Sequence, residues 1–197
     1  MMQSKKPNFR SIFQSNIRSI DIEQHIQNEG IYPRGHQINS WIEKVYSPPS
    51  FVKHYYQMID IKKKPISDRE FVQDYMNTHK KKIEQYVFPY AYPALEGRLY
   101  RAFPSLVRDH HNLTKLNESG LFQNVGYNLE LDMYFGVDGI VKYNNRTYGF
   151  QWYLESERSK EFRNSKKNKK LEEKMNNDGT LDFYGMKIHY IEIPLTR

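Results

Sequence analysis

The sequence predicts an α/β core over residues 93–197, preceded by an N-terminal helical region over 1–92. Two observations carry this. Up to about residue 92 the apolar positions recur at helical spacing between breakers, and beyond it alternating segments appear with the order helix, three strands, helix, strand. The chain has 197 residues, enough for one domain or a compact domain with a helical extension.

In the first region, residues 19–26 open on Ser19 or Asp21 as a cap, and Gly30 stops the run. Pro33-Arg34-Gly35 reads as a turn. Residues 36–46 place Ile38, Trp41, Ile42 and Val45 at helical spacing before Pro48-Pro49. Helical patterns resume over 51–58 and 68–86, where Ser67 and Glu70 have capping-box spacing. A small helical bundle accounts for these elements better than a helix-turn-helix reader. The second region begins with a long helix over 94–118, kinked or restarted at Pro104, with Leu95, Leu99, Ala102, Leu106, Leu113 and Leu116 on its apolar face.

Strands are expected over 128–135, where Leu129, Leu131, Met133 and Phe135 alternate with polar residues, and over 137–143 and 146–154. Asn144-Asn145 joins the last two as a two-residue turn, since Asn tolerates the positive φ such turns need. That register sets Tyr143 against Arg146 and Val141 against Tyr148. It brings Asp138 opposite Gln151, both projecting from one face. A charged helix over 157–175 and a strand over 186–193, ended by Pro194, complete the order.

Thirty Lys and Arg against 23 Asp and Glu give a formal charge of +7, which suits phosphate-bearing partners. Residues 158–170 hold seven basic side chains against Glu161 alone. Arg158 and Ser159 at that helix's start, with Arg163, Lys166 and Lys167 along it, are the candidate nucleic-acid contacts. Of the 16 tyrosines, Tyr55, Tyr56, Tyr90, Tyr92 and Tyr100 could stack bases, but packing partway into a core is the commoner use, unless several prove coplanar along one groove. With no cysteine, thiolate catalysis, disulfides and cysteine-based metal sites are excluded. No stretch approaches a membrane helix or a signal peptide, so a soluble, cytoplasmic protein without a membrane partner is expected. Phosphate-loop, dinucleotide-binding and nucleophile-elbow motifs are missing. Asp109-His110-His111 lacks zinc-helix spacing, because adjacent helical histidines point about 100° apart.

A carboxylate at Asp138 beside the carbonyl oxygen of Gln151, with Gly136 and Gly139 leaving room, suits a hard cation. Gly136-Val137-Asp138, a hairpin, then Gln151-Trp152-Tyr153 resembles the core of the PD-(D/E)XK nuclease superfamily, and so does the element order. The resemblance covers residues 94–193 and implies a restriction-endonuclease-like mixed sheet flanked by helices. It implies that Asp138 and Gln151 hold Mg²⁺ or Mn²⁺, with Glu96 as a further acid on the preceding helix. It also implies phosphodiester hydrolysis, in DNA rather than RNA, in restriction, defence or mobile-element biology; a homodimer would suit double-strand cutting. Tyr153 stands where the family has a Lys, and Lys160 or Arg158 would have to fold back to replace it. The alternatives are an inactive nucleic-acid-binding module on the same fold and a basic interaction or inhibitor protein. Loss of charge at Asp138 is expected to leave stability near wild type, as for a carboxylate without a structural partner.

Overall fold

The computed structural model describes residues 10–11, 16–30, 38–154 and 174–195. The chain divides into two compact units, one within Gln14–Asn112 and one from Met1–Phe13 and Leu113–Arg197. The division falls inside a single long helix. The helix expected over 157–175, and with it Arg158, Ser159, Lys160, Arg163, Lys166 and Lys167, lies outside the described residues except at its end. There Lys174 is in a turn and Met175 bridges Leu181.

The first unit is helical. It contains α1 (Ser19–Glu29), α2 (Ser40–Lys44), α3 (Phe51–Lys62), α4 (Asp68–Thr78), α5 (Lys80–Tyr86), a 3-10 turn at Pro89–Ala91 and most of α6 (Tyr92–Glu118). The α1 N-cap is Arg18, not Ser19 or Asp21 as expected; Asp21, three residues on, accepts the Arg18 N–H at 2.9 Å and its guanidinium at 2.8 Å. The expected box at α4 is present, with Glu70 N–H on Ser67 Oγ at 3.2 Å and Ser67 N–H on Glu70 Oε2 at 2.9 Å. The run expected over 68–86 is broken at His79, giving two helices. α2 is shorter than its pattern: Ile42 is buried, but Ile38, Trp41 and Val45 are exposed. α6 passes through Pro104 without stopping.

This unit is built on buried aromatics. Tyr55 packs edge-on against Phe71, Phe103 and His110, and its hydroxyl lies 3.1 Å from His110 Nδ1. Tyr75 donates to the Pro49 carbonyl at 2.6 Å. Tyr55 and Tyr56 are therefore core residues and offer no stacking surface.

The second unit contains a six-stranded sheet of β1 (Arg10–Ser11), β2 (Gln123–Tyr127), β3 (Gly139–Tyr143), β4 (Arg146–Leu154), β5 (Thr180–Phe183) and β6 (Met186–Leu195), with α7 (Leu129–Phe135) between β2 and β3. The spatial order is β1-β2-β3-β4-β6-β5. All neighbours are antiparallel except β4 and β6, which run parallel. The protein is thus mixed α/β, as expected.

Three expectations are corrected. Residues 128–135 form a helix, because Asn128 Oδ1 caps it through the Leu131 N–H at 3.0 Å and Gly136, at φ 67°, closes it in the left-handed region. Leu131 and Phe135, four apart, join one hydrophobic cluster, while Met133 is exposed, so the burial has helical period. The strand that precedes β3 in the core is instead β2, Gln123–Tyr127. β6 runs through Pro194 to Leu195, and it is preceded by β5, paired across Tyr184-Gly185. The β3–β4 hairpin holds as expected: Asn144 and Asn145 have φ 47° and 62°, and Tyr143 pairs with Arg146 and Val141 with Tyr148.

The sheet is packed on both faces. Leu131, Val137, Ile140, Leu181, Phe183 and Ile188 cluster on one side. On the other, the end of α6 comes close enough that a Cβ on Gly139 would sit 2.5 Å from Leu113 Cδ2 and 2.8 Å from Trp152 Cη2. No helix among the described residues is long and apolar enough to cross a membrane.

Two predictions follow from this packing. Gly139→Ala should destabilise the chain by about 1–3 kcal/mol in urea denaturation, since Leu113 and the rigid Trp152 ring must both move. The second concerns acid. Burial first, then the neighbouring His111, pushes the His110 imidazole down to about 4, and burial lowers His54 and His79 as well. Unfolded histidine takes up a proton below about pH 6.5, whereas folded His110 does not until about pH 4, so the unfolded chain binds more protons in between. Stability should therefore be full above pH 6.5 and fall as pH drops towards 4, with His110 contributing up to about 3 kcal/mol. Thermal melts that stay level from pH 7 to pH 4.5 would contradict this.

Candidate functional site

The hairpin decides where Asp138 and Gln151 lie. Pairing continues from the turn to Gly139 opposite Phe150. The Asp138 N–H also donates to the Phe150 carbonyl, at 2.8 Å. Two consecutive residues thus address one on the facing strand, a bulge that ends the ladder and re-aims the side chain. Asp138 therefore stands just before β3 rather than inside it, half-buried, and does not pair with Gln151 as the turn register predicted, because the bulge sets it against Phe150. Its Oδ2 accepts the Trp152 N–H at 2.8 Å, taking the place a strand carbonyl would occupy.

Gln151 lies between the two β4 residues that Asp138 engages, and its Oε1 accepts the Tyr190 hydroxyl. Its Nε2 faces the turn before Asp138: a Cβ on Gly136 would lie 3.3 Å from it. Gly136 therefore serves twice, supplying the φ of 67° that closes α7 and the space that the amide fills. In the parallel register Gln151 pairs with Glu192, and the Tyr190 hydroxyl lies 3.4 Å from Glu192 Oε1. Tyr153, half-buried on β4, pairs with Pro194.

The structure thus brings Asp138 and Gln151 to one end of the β3–β4 pair and adds Tyr190 and Glu192 beside Gln151. These two were missed in the sequence. Their signal is the alternation of Ile188, Tyr190 and Glu192 against His189 and Ile191, which sets one sheet face once β6 is laid beside β4. Chemically the place offers oxygen donors: the Asp138 carboxylate, the Gln151 amide carbonyl and the Glu192 carboxylate. Among the described residues, no group of three or more His, Asp or Glu is placed to hold a metal ion. A hard cation here would rely on Asp138 with the neutral Gln151 oxygen.

Glu96 is exposed on α6 in the helical unit, where it lines a cleft with Arg69, Gln73, Asn77 and Tyr100. The dismissed Asp109-His110-His111 group is fully partnered: Asp109 takes the Arg108 guanidinium at 2.8 Å, His110 meets Tyr55, and His111 Nε2 lies 2.8 Å from Glu23. His189 is half-buried against the Tyr148 ring.

Asp138 is therefore not the partnerless carboxylate that the sequence reading assumed. Compared with known proteins, the chain matches no family model, no curated protein and no solved structure.

Asp138→Ala should cost about 1–3 kcal/mol, because it leaves the buried Trp152 N–H without its acceptor. Asp138→Asn retains an oxygen acceptor and should cost clearly less. Equal losses for the two variants in chemical denaturation would show that the Trp152 bond contributes nothing.

Proposed function

We propose that this chain is a metal-dependent nuclease of PD-(D/E)XK type that hydrolyses phosphodiester bonds in DNA. The observation that carries the reading is Asp138 at the entry to β3, bonded to the N–H next to Gln151, in a frame of one helix, three antiparallel strands and a further strand parallel to the third. Of the oxygens there, the Asp138 carboxylate and the neutral Gln151 carbonyl are of the kind a hard divalent ion prefers. Asp138 and Gln151 would hold Mg²⁺ or Mn²⁺. Bound there, the ion would polarise the scissile phosphate, acidify an attacking water and offset charge on the leaving oxygen.

The chain's own groups do the positioning. The Trp152 N–H holds one carboxylate oxygen of Asp138 in place. The Tyr190 hydroxyl fixes the Gln151 amide so that its carbonyl oxygen lies towards β6. Tyr153 has no charge to offer, so a cation that orients water must come from elsewhere, and Lys160 and Arg158 are the nearest candidates in sequence. The basic residues Arg163, Lys166 and Lys167, with Ser159, would hold phosphates on either side of the cut.

A second reading is favoured by Tyr153 itself: an inactive nucleic-acid-binding module on the same frame. One experiment separates the two. Plasmid DNA and structured RNA are incubated with the full chain in Mg²⁺, in Mn²⁺ and in EDTA. A nuclease should cut only with metal, and Asp138→Asn should lower cleavage about a hundredfold or more while leaving binding intact, since even outer-shell losses at metal sites cost 10–100-fold. Tyr153→Lys should raise cleavage. Binding without any cutting would favour the inactive module, and cutting that survives Asp138→Asn would sink the proposed site.

A further inference from the structure

The segment linking α5 to α6, within the helical unit, shows an unusual division of side chains. Ile83, Val87 and Ala91 are buried and anchor it. Between them Tyr86, Phe88 and Tyr90 are all turned out, at 65%, 66% and 74% exposure. The backbone causes this. α5 ends at Tyr86, Val87 and Phe88 are extended, and the 3-10 turn at Pro89–Ala91 bends the chain back, with the Ala91 N–H on the Phe88 carbonyl at 2.9 Å. Phe88 and Tyr90 are left side by side, their rings 5.8 Å apart between centroids and 6° from parallel. Large apolar rings left in water forgo the stabilisation of burial, and a clustered set of them marks a contact surface.

The charges nearby are of one dominant sign. Lys80, Lys81 and Lys82 form the first turn of α5 and are exposed. Glu84 engages Lys80 at 3.8 Å; among the described residues Lys81 and Lys82 have no acidic partner. The exposed Lys53 on α3 and Lys82 both lie near His79, opposed there by Asp74 of α4, which engages His54. α5 is only about 10 Å long, which puts the lysines and the aromatic rings within reach of one short strand.

We propose that residues 86–90, with Lys81 and Lys82, form a stacking platform for single-stranded nucleic acid. A base stacks on the outer face of the parallel Phe88–Tyr90 pair, and the lysines meet the phosphates. The rings of a duplex interior are unavailable for such stacking, so the platform discriminates against double strands. This does not rest on the nuclease reading, because stacking requires neither metal nor cleavage.

The test uses the full chain in EDTA, with a fluorescein-labelled oligothymidine and a duplex of equal length, followed by anisotropy. Phe88→Ala with Tyr90→Ala should weaken oligothymidine binding about tenfold or more and leave both duplex affinity and salt slope little changed. Lys81→Glu with Lys82→Glu should make the slope of log affinity against log salt shallower by about 1.4. Both pairs are exposed, so the melting temperature should stay near wild type. In the wild-type chain, photocrosslinking of a 5-iodouracil oligonucleotide should label the peptide containing residues 86–90, an outcome independent of how any variant folds. Unchanged oligothymidine affinity, an equal loss on duplex, or crosslinks confined to other peptides would overturn the platform. So would a change only in self-association by sedimentation, or only in binding to anionic vesicles. Failure of the nuclease reading would appear separately, as absent metal-dependent cleavage.

Discussion

The second unit depends on the register of one hairpin. Asn144 and Asn145 both adopt positive φ, a requirement of the tight two-residue turn whose twist matches the flanking strands. That turn fixes every pair from Tyr143–Arg146 to Gly139–Phe150. A slip of one residue would invert the strand's faces. Trp152 would turn to the opposite face, Gly139 would no longer stand where only hydrogen fits, and Asp138 would lose the N–H it caps. Turn, core and candidate site therefore share one geometric cause.

How much of this the sequence discloses varies with the physics. The β3–β4 hairpin is legible because two signals agree, alternation along both strands and turn chemistry between them. α7 is misread because Leu129, Leu131, Met133 and Phe135 fit a strand as written. Only Leu131 and Phe135 share a face, and the period becomes visible through Asn128 and Gly136, a start and a stop signal that outrank alternation over so short a run. β2 and β5 are short and carry irregularities, Asn124 at φ 50° in one and the Tyr184-Gly185 turn beside the other, so neither shows a strand pattern long enough to read. In the helical region, the break at His79 leaves no mark in the apolar spacing.

Tyrosine shows the same limit from another side. Composition gives 16 tyrosines and a basic charge, and the two together suggest base stacking. Tyr55 and Tyr75 instead satisfy their hydroxyls inside a core, against His110 and the Pro49 carbonyl. Tyr90 is exposed and parallel to a phenylalanine. What separates them is the local backbone: a helix face turns the first two inward, and an extended stretch followed by a 3-10 turn points the third outward. Neither the residue type nor its neighbours in sequence carries that distinction.

At the candidate site, the sequence pairs Asp138 with Gln151, but the partner strand decides what Gln151 can do. An amide presents a donor at one end and an acceptor at the other. Donation from the Tyr190 hydroxyl fixes the acceptor towards β6, and the donor then falls against Gly136. The way this amide faces is thus set by β6 as much as by the hairpin that carries it, and Tyr190, which no spacing along β4 announces, decides which end of Gln151 looks towards the turn before Asp138.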